Sequence, residues 1–244
     1  MISYSPDQVD FILERFVTHG DTPQAHSQTW CRRLYAPMYI FEPELADVRR
    51  RLEDAYPEHV IAFDIVFQSR GNATDWHTDY ESLGPFIVRD AFAAMTASHF
   101  VSIHANLTKE GGHLLTCHRP IFLSWLHYWA IVFTGIYSWL HACLVAVCRP
   151  YFYMAAYSHP NVVGAGNAFN NMRLHAVSSG APRTSYVVRL VHKDVILSRE
   201  AVRKGMSRSA VCSVFEFLMD WLPDEGEHRV GTLKWGTDRL RDRD

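Results

Sequence analysis

Trp76-His77-Thr78-Asp79 is the segment of this chain best built for chemistry. On an extended backbone residues i and i+2 point to the same side, so His77 and Asp79 can reach one metal ion. Much later comes His175, within Leu174-His175-Ala176-Val177, and then Arg183 and Ser185, within Ala181-Pro182-Arg183-Thr184-Ser185-Tyr186. Two imidazoles and one carboxylate on one face of a metal leave three coordination positions open. A guanidinium matches a carboxylate with its planar fork. Arg183 and Ser185 share one face of a predicted strand, and Arg189 lies further along it. A second His-x-Asp, His192 with Asp194, is a decoy. Its possible partners, His228 and Arg239, follow in short, polar, helix-like sequence that offers no strand pair to gather them.

These residues need strands to hold them. Residues 60–68, 100–107, 113–117, 162–169, 174–177 and 184–191 read as short strands, with Gly or Pro between several of them. That spacing predicts a mainly β sandwich or barrel rather than a βαβ sheet. Two helices precede it. Ser5-Pro6-Asp7-Gln8 carries capping-box signals for a helix running through Ile12, Leu13 and Phe16 to about Gly20. Residues 43–56 place Leu45, Val48, Leu52 and Ala55 on one helical face. Beyond Lys193 the chain is more polar, with a helix predicted over 210–222. The whole reads as a single domain over 1–244: a core of about 60–192, an insertion of about 119–160 and a C-terminal helical extension of about 195–244.

Composition narrows the function. With 48% hydrophobic and 20% charged residues the chain buries a full core. A net charge of −2 argues against nucleic acid as a partner. The 5 cysteines are odd in number and form no C-x-x-C, so a disulfide framework and a zinc knuckle are both disfavoured and a reducing compartment fits. The N-terminus lacks a basic and then apolar leader, and a cytoplasmic or otherwise intracellular location is expected. Among the 14 histidines, His104 stands out on a predicted core strand. Trp76, Tyr80, Glu81 and His104 are the candidate substrate contacts.

The set His77, Asp79, His175, Arg183 and Ser185 resembles the Fe(II)/2-oxoglutarate-dependent oxygenase superfamily, over roughly residues 63–191. Gly111-Gly112-His113-Leu114-Leu115 resembles the GG-x-L turn of its phytanoyl-CoA-hydroxylase-like members. Gly164-Ala165-Gly166-Asn167-Ala168-Phe169 with Leu174-His175-Ala176 resembles their G-D-x-x-x-F and H-A run, Asn167 replacing the Asp. The resemblance implies a double-stranded β-helix (a jelly-roll, cupin-like fold). It implies iron at His77, Asp79 and His175, and the far carboxylate of 2-oxoglutarate at Arg183 and Ser185. Dioxygen is then the co-reactant, and a small molecule is hydroxylated, desaturated or cyclised with succinate and CO2 as co-products. A second likeness is to AlkB-type demethylases. Trp76-His77-Thr78-Asp79 with Leu83-Gly84-Pro85 is similar to their W-H-S-D and L-G-P run. Arg183 and Arg189 match the two arginines of their R-x-N-x-T-x-R motif, which makes Arg189 a further contact to 2-oxoglutarate or substrate. A non-catalytic cupin-like reading rests on Gly71 and His77 at the G-x5-H spacing, but Asp79 stands where that family usually has a second His.

One segment departs from the strand pattern. Residues 120–148 contain no Asp, Glu, Lys or Arg and are rich in Trp, Tyr and Phe. A single membrane span there would put the strands of one metal site on opposite sides of a bilayer, and two spans need more residues. The alternatives are a helical lid over a lipophilic or aromatic substrate, a helix resting on a membrane surface, a homodimer interface, or plain core.

Overall fold

The computed structural model describes residues 2–19, 31–35, 38–79, 86–87, 99–117, 124–125, 139–206 and 222–233. Six strands form the larger sheet: Ile2–Ser3 (β1), Cys31–Tyr35 (β2), His59–Ser69 (β3), Phe100–Asn106 (β6), Ala165–Asn170 (β9) and Thr184–His192 (β11). They are antiparallel, in the order β1-β9-β6-β11-β3-β2. Thr74–His77 (β4), Leu114–Cys117 (β7), Ala156–Ser158 (β8) and His175–Val177 (β10) form a smaller sheet, ordered β4-β10-β7-β8. Phe86–Ile87 (β5), Ile196–Leu197 (β12) and His228–Arg229 (β13) make a short third sheet. The helices are Pro6–His19 (α1), Ala46–Ala55 (α2), Trp139–Met154 (α3) and Arg199–Met206 (α4). Two antiparallel sheets face to face, with helices outside, make the expected jelly roll.

Strand periodicity decides which face does what. In β6, Val101, Ile103 and Ala105 bury against α1 and α2, in one core with Ile12, Phe16, Leu45, Val48 and Leu52. Tyr186, Val188 and Leu190 of β11 join the same core. The alternate residues turn to the other face. Register pairs Ser185 with Asn106, Val187 with His104 and Arg189 with Ser102. The second face is therefore polar and yet buried: Ser102, His104, Asn106 and Ser185 are each no more than 4% exposed. Buried polar groups need partners, and this face is where the chemistry collects.

The first helix begins as its sequence indicates. Gln8 N donates to Ser5 Oγ at 3.3 Å and Ser5 N donates to Gln8 Oε1 at 2.9 Å, a completed capping box. The second differs slightly. Pro43–Leu45 is a 3-10 turn and α2 starts only at Ala46, while Ala55, expected on the apolar face, is exposed at the helix end.

The insertion and tail show three features. Within the insertion of about 119–160, Ala156–Ser158 is strand β8, paired with Leu115, Thr116 and Cys117 of β7. Helix α3 lies on the outer side of the smaller sheet. There Phe152 packs with Trp76, Leu115, Cys117, Leu174 and Ala176, and its ring centroid is 5.6 Å from that of Trp76. His77, Thr116 and His175 alternate with these residues and face the other way. So this part of the insertion is an outer layer, not a lid over the metal ligands. Its outward side leaves Val147, Tyr151 and Met154 exposed. No helix among the described residues is long and apolar enough to cross a membrane. In the tail, the helix expected over 210–222 falls, except for Leu222, outside the described residues. The described part combines α4 with β12 and β13.

Candidate metal centre

His77 closes β4 and His175 opens β10, and antiparallel register sets them directly opposite each other. Their ring centroids are 4.3 Å apart. Asp79 follows the strand, its N–H donating to Asn171 O at 3.0 Å. That anchor turns its carboxylate back toward the imidazoles. Oδ1 of Asp79 lies 3.5 Å from Nε2 of His77 and 3.3 Å from Nε2 of His175. One ligand atom from each residue falls within 4.8 Å of the others. The centre is graded in exposure: His175 side chain 6%, Asp79 14%, His77 35%. His77 is therefore at the open rim.

The protonation states suit metal binding. His175 Nδ1 donates to Arg173 O at 2.9 Å, which leaves Nε2 with its lone pair toward Asp79. Burial lowers the pKa of His175, against the opposing pull of Asp79, so the ring is neutral near pH 7. For Asp79 burial disfavours the charge, but the Arg189 guanidinium leads the interactions that outweigh it and hold the carboxyl well below its ordinary value. Arg189 makes that effect direct. Its Nη2 is 2.6 Å from Asp79 Oδ2, and its Nη1 donates to Ser102 Oγ. Two imidazole nitrogens and one carboxylate oxygen drawn this close together are a donor set that fits Fe(II) with open positions.

Arg183 is the second feature. It is 1% exposed, and burial pushes its guanidinium down to about 10. Nη1 donates to Gly112 O, while Nε and Nη2 have no hydrogen-bond partner among the described residues. The Gly111-Gly112 turn makes room for the side chain: a Cβ on Gly111 would meet Arg183 Cδ at 2.6 Å, and one on Gly112 would meet Ser178 O at 1.7 Å. Ser185 Oγ donates to Asn106 Oδ1 at 3.1 Å. Asn106 in turn donates to Asn161, whose amide reaches Lys109 O and Gly111 O at 3.3 Å each. This relay ties the Ser185 strand to the glycine turn that cradles Arg183.

The structure thus brings together His77, Asp79, His175 and Arg189, with Arg183, Ser185 and His104 on the polar face of the larger sheet. Trp76 is not part of that group. It is 1% exposed and packs on Phe152 and Tyr153, beneath the sheet that carries the ligands. The substrate role expected for it gives way to packing, because neighbouring residues of a strand point to opposite faces. Tyr80 and Glu81 lie outside the described residues. The decoy pair His192 and Asp194 is 3.8 Å apart with Asp194 largely exposed and Arg229 beside it, an ordinary surface cluster. Sequence reasoning missed Ser102, Asn106 and Asn161. The signal was present in β6, where Ser102, His104 and Asn106 alternate with Val101, Ile103 and Ala105: a polar stripe on a strand too apolar to face water.

No protein-family model and no curated protein sequence matches the chain. Among solved structures, it is similar to SnoK, a non-haem alpha-ketoglutarate-dependent carbocyclase from nogalamycin biosynthesis. The identity is 12%, over 80% of this chain and 79% of that one, with a TM-score of 0.55. Two further likenesses are looser. EctD from S. alaskensis, solved with 2-oxoglutarate and 5-hydroxyectoine, gives 14% identity over 80% and 71% of the two chains at a TM-score of 0.48. SnoN, an alpha-ketoglutarate-dependent epimerase of nogalamycin biosynthesis, gives 13% over 78% and 74% at 0.47. The chain shares its fold with SnoK.

Proposed function

We propose that the protein is a non-haem Fe(II)/2-oxoglutarate-dependent oxygenase acting on a small molecule. The observation that carries this reading is the convergence of His77, Asp79 and His175 on one point, beside a buried arginine with two donors unmade. Ferrous iron and 2-oxoglutarate, when bound, supply oxidation of a substrate C–H bond by dioxygen, with succinate and CO2 formed alongside.

The chain's residues divide the remaining work. His175 presents Nε2 because Arg173 O holds its other nitrogen. Asp79 stays ionised because Arg189 neutralises its second oxygen. Arg189 is then a partner of the metal-binding carboxylate, rather than the 2-oxoglutarate or substrate contact expected from the sequence. Arg183 offers Nε–H and Nη2–H to the far carboxylate of 2-oxoglutarate, and Ser185 adds its hydroxyl by turning it from Asn106. Phe169, whose ring centroid is 4.8 Å from that of His175, walls one side of the centre against water. Substrate approaches at His77, the most exposed ligand. The described part of the insertion lies behind the smaller sheet, so it lends no support to a lipophilic or aromatic substrate. Hydroxylation, desaturation and cyclisation all fit this centre.

The test is an anaerobic titration of apo-protein with Fe(II) and then 2-oxoglutarate, followed in the visible spectrum. A weak charge-transfer band that needs both components, disappears in Asp79→Ala and requires far more 2-oxoglutarate in Arg183→Ala is the expected result. A folded wild-type protein that gives no band sinks the proposal.

A further inference from the structure

His104 is the polar side chain on the inner face of β6 that the protein leaves over. Its neighbours on that face are engaged, Ser102 by Arg189 and Asn106 by Ser185 and Asn161. His104 is 4% exposed, and among the described residues neither Nδ1 nor Nε2 has a hydrogen-bond partner. Leaving such groups unmade inside a protein costs about 1–3 kcal/mol each, so a buried imidazole with two of them calls for a ligand. The ring is held in place. It lies across from Val187 of β11, between the Ser185 and Arg189 positions, and its centroid is 6.0 Å from that of Phe67.

The chemistry of the missing partner follows from the donors around it. Burial, and then the charges of Arg183 and Arg189, hold the His104 pKa well below its ordinary value. The imidazole is therefore neutral, with one N–H to give. Arg183 lies at the Gly111-Gly112 turn, which the Ser185–Asn106–Asn161 relay ties to the face that carries His104, and its Nε–H and Nη2–H lack acceptors among the described residues. Three N–H donors thus lack acceptors in one region. Among the described residues no carboxylate accepts from them: Asp79 is taken by Arg189, and Asp64 by Met38, Ile40 and Tyr186. Water accepts only two hydrogen bonds and must place its own protons. A carboxylate accepts up to about four and has none to place.

We infer that His104 is a third arm of the co-substrate clamp, donating its N–H to the same far carboxylate of the 2-oxo acid that Arg183 holds. This rests on the proposed function above and deepens it by naming a binding residue outside the Arg183–Ser185 pair. His104 is then a specificity residue, favouring 2-oxo acids that carry a second carboxylate.

The experiment uses full-length protein loaded with Mn(II), which binds the same ligands without turnover. Tryptophan fluorescence reports the Kd for 2-oxoglutarate and for 2-oxobutyrate, which keeps the chelating end but lacks the far carboxylate. His104→Leu keeps the bulk and loses the donor, and His104→Gln restores a donor. The expected result is a roughly tenfold weaker Kd for 2-oxoglutarate in His104→Leu, partial recovery in His104→Gln, and a 2-oxobutyrate Kd within about twofold of wild type in both. Equal loss for the two acids, or no loss for either, overturns the clamp while leaving the oxygenase reading intact. A wild-type protein that binds Mn(II) but not 2-oxoglutarate overturns both. If His104→Leu does not fold, the comparison of His104→Gln with wild type decides the matter on the same two acids.

Discussion

At the scale of single residues, Asp79 sits between two demands. One oxygen faces the imidazoles and the other is held by Arg189 at 2.6 Å. A mostly buried carboxylate without its counter-charge would be driven toward the protonated acid, which does not ligate. Arg189→Leu should therefore weaken Mn(II) binding about 10- to 100-fold, the usual range for losing a partner of a metal ligand. Arg189→Lys should recover part of the affinity, since an ammonium keeps the charge but cannot span Asp79 and Ser102 with one planar fork. Isothermal titration of the three proteins at one pH checks this. Equal affinities would show that Arg189 is only a packing cation.

At the scale of elements, the glycine turn decides where Arg183 points. Gly111 has φ 125°, a conformation L side chains rarely adopt, and its α-carbon faces the Arg183 stem. Gly112 abuts the carbonyl of Ser178 so closely that a Cβ would stand 1.7 Å from it. Both partners there are backbone, so neither yields without moving a strand end. Gly112→Ala should lower stability by about 1–3 kcal/mol. It should also weaken 2-oxoglutarate binding more than metal binding, because it moves the carbonyl that accepts from Arg183 while His77, Asp79 and His175 sit on other elements. Urea denaturation and the two titrations separate these effects.

At the scale of the whole molecule, Asp64 fastens the helical layer to the larger sheet. This wholly buried carboxylate accepts from Met38 N at 2.6 Å, Ile40 N at 2.8 Å and the hydroxyl of Tyr186. Met38 sits at φ 60°, left-handed for a side chain that resists it, and the Asp64 bond helps to hold it there. Burial raises the Asp64 pKa from 3.8 to about 6 in spite of the three hydrogen bonds that lower it. Because folding raises this pKa, the protonated acid favours the fold. The contribution is full below about pH 4 and fades as the pH climbs through 6. Asp64→Asn has no such titration. Its stability relative to wild type should rise between pH 4 and 7, by at most about 3 kcal/mol. Urea midpoints for both proteins across that range check the sign. A constant difference would mean that Asp64 titrates normally.

The sequence by itself pointed to strands β3, β6, β7, β9, β10 and β11, the first helix and the grouping of His77, Asp79 and His175, because those depend on local rules. Period-2 apolar runs bounded by Gly and Pro become β3, β6 and β11, a capping box starts α1, and i, i+2 spacing commits His77 and Asp79 to one side of a strand. Only the tertiary structure decided which face of each strand met which layer. That choice placed Trp76 and α3 behind the metal sheet, where the apolar insertion had suggested a lid. It paired Arg189 with Asp79 across the two sheets, a contact between residues 110 positions apart that no local pattern encodes. It also placed Asp64 on the helical side, where it answers the backbone of residues 38–40. The reason is common to all three: side-chain alternation can be read along one strand, but register and sheet packing are set by burial summed over the whole chain.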